Sequence, residues 1–283
     1  MTRGRVAVIG DLAGHRGELE RELARLGARD DRLPDDLTVV QVGDLVHRGP
    51  DSEGVVALVD HYLGTQPGRW HQLVGNHEAQ YLREPAFDWP EHIDDQAAET
   101  LAGWWDARAM VPAVAIRAGH GADAEDFLVT HAGLTAGFWK RALDRPGEAR
   151  LAAAALNSFA GRHDDVLFAA GQMLGGGKAD HTAGPVWAAA ASELVASWLG
   201  VELPFGQVHG HSTVMDWKHD RLRGEDEVTT LVTVDGEAAV EIVTMPGGRI
   251  VGVDPGHGAK PRTPWRAFVL DDAEVLDDAG VRS

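Results

Sequence analysis

Five times in this chain a short apolar, often β-branched run ends on a polar residue at or beside glycine. The runs are Val6-Ala7-Val8-Ile9-Gly10-Asp11, Val39-Val40-Gln41-Val42-Gly43-Asp44, Gln72-Leu73-Val74-Gly75-Asn76-His77-Glu78, Phe127-Leu128-Val129-Thr130-His131 and Val208-His209-Gly210-His211. A buried strand that stops this way delivers one polar side chain to a rim, where loops on a rigid scaffold carry function. One such end means little. Five of them, presenting Asp, Asp, Asn-His, His and His, have the donor set of a metal site assembled from distant segments. The chain contains no Cys, so thiolate ligation and disulfides are excluded, and any metal must take His, Asp, Asn or Glu.

The segments between these strands set the fold class. After Gly10-Asp11, Leu19, Leu23 and Leu26 fall on one helical face, with Gly27 as the stop. After Asp44, Asp51 or Ser52 caps a helix carrying Val55, Leu58, Val59, Tyr62 and Leu63, ended by Gly64. A third strand, Trp70 to Val74, leads to Asn76-His77. Strand and helix alternate, which predicts a largely parallel sheet with its site at the carboxyl ends of the strands. A helix is predicted from Asp94 to Met110, with Ala97, Leu101, Trp104 and Trp105 on its packing stripe, then strands at 114–116 and 127–130.

From Thr135 to Leu199 the chain is helical and Ala-rich, interrupted between Gly171 and Trp187. That interruption holds Gly175-Gly176-Gly177-Lys178 but no Ser or Thr after the Lys, so it is not a phosphate-binding P-loop. It reads as a mobile flap over the cleft, with Lys178 either solvated or touching substrate. From Gly206 the chain turns β-rich: 228–234 and 238–244 flank an Asp235-Gly236 hairpin turn, 250–253 follows Pro246-Gly247-Gly248, and a last strand spans 266–270.

The series Gly10-Asp11, Gly43-Asp44 with Arg48-Gly49, Gly75-Asn76-His77-Glu78, His131-Ala132-Gly133 and Gly210-His211 resembles the calcineurin-like metallophosphoesterases. It is most similar to the branch of Ser/Thr protein phosphatases and symmetrical diadenosine tetraphosphate hydrolases. The resemblance implies an α/β fold: a two-sheet β-sandwich flanked by helices (α/β/β/α, four layers). One domain would span residues 1–283, with a helical insertion or flap at about 135–200.

The resemblance further implies one divalent cation on Asp44, Asn76, His131 and His211, and a second on Asp11 with the bridging Asp44. Such mixed nitrogen and oxygen ligands suit Mn, Fe, Zn, Co or Ni better than Ca or Mg alone. Arg48 would grip a phosphate oxygen through its guanidinium fork, and His77 would protonate the leaving oxygen.

Two positions depart from the family pattern. The second-site ligand expected at position 13 is Ala13, so that site would bind loosely, taking Mn or Mg, or fill only with substrate; His15 is a candidate replacement. An Asp usually stands where His47 is, just before the Arg, and the carboxylate that pairs with the catalytic His in this branch has no evident counterpart. His47 is then a replacement ligand, a space-filler or a hydrogen-bonding group. His209 and the remaining histidines, His163 among them, read as structural or solvated. A nuclease or cyclic-nucleotide diesterase is disfavoured, because the second His of those branches falls on Thr213.

The formal net charge of −18 argues against binding nucleic-acid backbones over the general surface, while a phosphorylated small molecule or phosphopeptide is compatible with a locally cationic cleft. No apolar window is long enough to span a membrane, and the start of the chain enters a strand at once, so the expectation is a cytoplasmic protein without a signal peptide. The expected activity is metal-dependent hydrolysis of a phosphomonoester, phosphoprotein or dinucleoside polyphosphate; the alternative is an impaired relative that binds phosphate or nucleotide as a regulator.

Overall fold

The computed structural model describes residues 3–160 and 165–276. In chain order, β1 (Gly4–Ile9), α1 (Arg16–Leu26), β2 (Leu37–Gln41), α2 (Ser52–Thr65), β3 (Trp70–Leu73), the short α3 (Ala79–Leu82) and α4 (Asp95–Asp106) form the first half. Gly27 ends α1 in the left-handed region at φ 106°, and the Asp51 carboxylate accepts the Gly54 amide to start α2. Asp94 caps α4 in the same way through Ala97. That helix stops at Asp106, short of the expected Met110; Met110 instead opens a two-residue edge strand, β4 (Met110–Val111), beside β3. Trp104 is buried on the expected stripe, whereas Trp105 is only partly covered.

The second half holds β5 (Ala113–Ala118), β6 (Glu125–Thr130), α5 (Ala136–Arg141), α6 (Ala149–Ala160) and β7 (Gly206–His209). It continues with the small pair β8 (Met215–Asp216) and β9 (Arg221–Leu222), then β10 (Val232–Asp235), β11 (Val240–Met245), β12 (Gly248–Gly252) and β13 (Phe268–Leu276). Val228 lies in a helical turn, Asp226–Thr229, so the β10–β11 hairpin is shorter than its β-branched run suggests. The last strand runs six residues past the predicted end at Leu270.

The described strands form an eleven-stranded ladder in the order β10-β11-β12-β7-β6-β5-β13-β1-β2-β3-β4. The ladder is folded over on itself. Val6, Val8, Val40 and Val42 pack with Ile116, Phe127, Val129, Val208 and Val251 in one core, so strands from opposite halves face each other. The alternate residues Ala7, Ile9 and Val39 face outward onto Leu19, Leu23, Val55, Val59 and Leu101 of α1, α2 and α4. On the other side Ala113, Ala115 and Leu128 meet Phe138, Ala152, Ala153 and Leu156 of α5 and α6. The result is four layers, helix, sheet, sheet and helix.

β13 joins the two sheets. Its first part pairs antiparallel with β1 (Val6↔Leu270, Val8↔Phe268), and its second part pairs with β5 (Glu274↔Arg117, Leu276↔Ala115). The switch falls at Asp272, held at φ 51°, where the register against β1 also slips. A local kink of this kind lets one strand serve two sheets at a sandwich corner.

Candidate functional site

β1, β2, β3, β6 and β7 end along one rim, and the polar residues that follow them lie there. Two close approaches explain the glycines. A Cβ at Gly75 would stand 2.3 Å from Asp44 Oδ1, and one at Gly210 would stand 2.1 Å from Asp11 Oδ1, so the carboxylates lie directly against bare backbone. Several non-glycine residues sit in the left-handed region, at φ 56° for Asp44, 72° for His47, 68° for Arg48 and 64° for His211. Such backbone strain, on the order of 1–3 kcal/mol per residue, persists where surrounding contacts over-determine it.

Those contacts include Glu78. Its fully buried carboxylate accepts the amides of Asp44 (2.8 Å), Leu45 (2.8 Å) and Gly75 (2.9 Å), tying the β2 and β3 loops together. Burial and the nearby Asp44 charge push Glu78 up to about 8, against the pull of the three amides.

Asp44, His131 and His211 bring their ligand atoms within 4.8 Å of one another. The tautomers of both rings are set from behind. His131 Nδ1 donates to Val42 O at 2.9 Å, and His211 Nε2 lies 3.1 Å from Met173 Sδ, so His131 Nε2 and His211 Nδ1 turn lone pairs inward. The amide end of Asn76 lies 2.9 Å and 2.8 Å from those two nitrogens. With its NH2 inward the amide donates to both rings and to Asp44 at 3.3 Å; with its oxygen inward, acceptors alone converge. A set of convergent acceptors is what a cation stabilises, so these four residues fit a divalent metal of the nitrogen- and oxygen-binding kind. Burial raises the Asp44 carboxyl, but His77, His131, His211 and Arg48 outweigh it and hold the group well below its usual range. Burial also lowers His211, to about 3, which keeps its ring neutral.

Asp11 lies beside this group rather than in it. Both its oxygens accept the His211 amide, at 3.0 and 3.1 Å. Burial, then the charges of Asp254 and Asp44, raise its pKa well above the ordinary value. Asp254, two residues past β12, is buried and is itself raised by burial. The parallel register Gly252↔His209 sets it level with His211. Position 13 offers only a methyl group. His15 does not replace it: its Nε2 bonds Gly258 O at 2.7 Å, and its ring meets His257 edge-on.

Arg48 and His77 also lie beside Asp44. His77 Nε2 is 3.6 Å from Asp44 Oδ2 and 3.3 Å from Arg48 Nη2. Burial lowers the His77 pKa, and Arg48 adds to this, while Asp44 opposes it. Among the described residues the partner of His77 Nδ1 is no carboxylate. His47 Nδ1 stands there at 3.0 Å, with Val46 O at 3.2 Å. His47 is thus the hydrogen-bonding group that the sequence left open among three readings. Trp89 stacks on it with ring centroids 5.4 Å apart, and the Arg48 guanidinium lies 5.8 Å from the Trp89 ring.

The 171–187 segment reaches the site at Met173, while Lys178 faces solvent. Glu193, in a turn of π-helix (Ala190–Val195), accepts the amides of Gln172 (2.8 Å), Asp180 (2.7 Å) and Ala189 (2.8 Å) and so fastens both ends of this loop. His209 is buried and bonds Gly210 O at 2.9 Å, a structural contact. His163 lies outside the described residues. Sequence patterns had given Glu78 no role and had missed Tyr81, Trp89 and Met173; only the adjacency of Glu78 to Asn76-His77 could have signalled any of them.

A family model for calcineurin-like phosphoesterases matches residues 4–212, so the chain belongs to that family, whose members are metal-dependent hydrolases of phosphate esters. Solved structures similar to it include a metallophosphoesterase from Sphaerobacter thermophilus (13% identity, 96% of this chain and 86% of that chain, TM-score 0.42). A cold-active protein-tyrosine phosphatase of a psychrophilic Shewanella also matches (16% identity, 90% and 79%, TM-score 0.48). A protein serine/threonine phosphatase from Saccharomyces cerevisiae matches over 47% of this chain (20% identity, TM-score 0.35), which spans only 39% of that chain. Among curated proteins, none matches. Among the described residues no helix is long and apolar enough to cross a membrane.

Proposed function

We propose that this chain hydrolyses a phosphomonoester, phosphoprotein or dinucleoside polyphosphate, with Asp44, Asn76, His131 and His211 as ligands of one cation and Asp11 with Asp44 as ligands of a second, weaker one. The observation that carries this reading is the convergence of His131 Nε2 and His211 Nδ1 on Asp44 and Asn76, beside Arg48 and His77. Bound divalent cations would acidify a water and offset phosphoryl charge. Arg48 binds a phosphoryl oxygen through guanidinium N–H groups and orients the ester. His77 Nε2, unprotonated at rest beside Arg48, takes up a proton from the attacking water and passes it to the departing oxygen. Manganese is a suitable metal on ligand type, with Fe, Zn, Co and Ni as alternatives and Mg at the oxygen-rich position.

Protein stripped of metal and resupplied with Mn, Ni, Zn or Mg is assayed on an aryl phosphate and a dinucleoside polyphosphate. Turnover that needs a metal and falls at least ~100-fold in His77→Ala supports the proposal. Ala13 and His47 favour a second reading, a regulator that binds phosphate or nucleotide. Tight binding of either ligand without turnover under any metal would favour that reading and sink the enzyme.

A further inference from the structure

The geometry points to His47 and Tyr81 as positioning residues that together hold His77 in a single tautomer, with its proton on Nδ1 and its Nε2 lone pair turned toward Arg48 and the cleft. The inference builds on the proposed role of His77 and concerns the groups behind it.

The hydrogen-bond directions follow from one fixed donor. A guanidinium can only donate, so Arg48 Nη2, 3.3 Å from His77 Nε2, makes that nitrogen an acceptor. A neutral imidazole then carries its proton on Nδ1. Two acceptors meet that proton: Val46 O at 3.2 Å and His47 Nδ1 at 3.0 Å. For His47 Nδ1 to accept, the His47 proton must sit on Nε2. His47 Nε2 faces Tyr81 Oη at 2.6 Å. The phenol oxygen takes that bond and also the Ile93 amide at 3.2 Å. The chain of donors therefore runs one way, from Arg48 through His77 and His47 to Tyr81.

The pair is built to stay put. His47 is 1% exposed, its amide donates to Ser52 Oγ at 2.9 Å, and its ring lies nearly parallel to Trp89, at 13°. Burial lowers the His47 pKa to about 3, so the ring remains a neutral acceptor. A neutral nitrogen stabilises a charged partner less than a carboxylate does. The expected consequence is an enzyme that manages esters with good leaving groups and falters on alkyl esters, whose departing oxygen needs a fully delivered proton.

The test labels the histidine rings with nitrogen-15 and reads their tautomers by nuclear magnetic resonance in metal-free protein. Kinetics of the metal-loaded enzyme are compared on alkyl and nitrophenyl phosphates. In the wild type His77 should show a protonated Nδ1 and a bare Nε2. Tyr81→Phe removes only the hydroxyl; it should mix the tautomers of His47 and His77 and lower kcat on the alkyl ester about 10-fold, with KM within about twofold and a smaller loss on the aryl ester. His47→Asp, which supplies a charged acceptor, should raise alkyl-ester kcat above that of the wild type, a response that a merely structural His47 would not give. A wild-type His77 protonated on Nε2 overturns the inference. So do unchanged tautomers in Tyr81→Phe, since Val46 O would then suffice alone, and so does an alkyl-ester rate in His47→Asp at or below the wild-type value. Should the protein turn over no ester, the proposed function fails on its own, and the tautomer measurements still decide the inference.

Discussion

Glu78 shows how much of this site is held by groups that would touch neither metal nor phosphate. Its two oxygens receive three amides from the loops that carry Asp44 and Asn76. Glu78→Gln replaces one of those oxygens with an NH2 that can only confront the amide it once received. Above about pH 8, where Glu78 is ionised, the expected cost is about 2 kcal/mol of stability, together with weaker metal binding, because a buried donor is left without a partner. Urea unfolding and a metal titration of the variant check this; an unchanged midpoint and affinity would mean the loops are held by other contacts. Asp44, Asn76, His131 and His211 were legible as candidate ligands because each follows a strand-like run. The contact between His47 and His77 was not. It joins residues 30 apart, through a loop with consecutive left-handed residues that no periodicity encodes.

At the scale of elements, the loop from β12 to β13 carries an acid-sensitive contact away from the metal group. His257 is 2% exposed, its Nδ1 accepts the Arg262 amide at 2.9 Å, and its Nε2 has no hydrogen-bond partner among the described residues. Its neighbours are His15, Trp265 and Arg262, and among the described residues no carboxylate acts on it to favour the charged ring. Burial, then the charges of His15 and Arg262, lower its pKa from 6.5 to about 3. The folded state therefore refuses a proton that the unfolded state accepts. Its contribution is intact above pH 6.5 and is lost as pH falls toward 3, by about 1.4 kcal/mol per pH unit. His257→Asn keeps an acceptor for Arg262 and cannot titrate. In metal-free protein, urea unfolding across this range should show a slope against pH that is shallower by about one proton; an equal slope would place the titration elsewhere. Elements with a strong period, such as α1, α2 and β1, were legible to within a residue or so, because pattern and cap agree. β4 and the far half of β13 were not, since two residues carry no period and Asp272 interrupts the other run.

The whole molecule sets a condition on substrate approach. The fold gathers strand ends from both sheets onto one rim, and the chain around that rim carries a formal charge of −18. Within the cleft Arg48 and the proposed cations would attract phosphate, but over longer distances an anionic substrate meets a surface of its own sign. That repulsion acts on the encounter and is screened by salt, with a Debye length of about 10 Å at 0.1 M. The short-range grip inside the cleft is screened much less. Raising KCl from ~10 to ~150 mM should therefore increase kcat/KM, and the increase should be larger for a dinucleoside tetraphosphate than for an aryl monophosphate, because it scales with substrate charge. At saturating substrate kcat should stay level, since no encounter limits it. A kcat/KM that falls with salt would mean the field at the cleft mouth is positive, with the local cations outweighing the acidic surface already at the encounter distance.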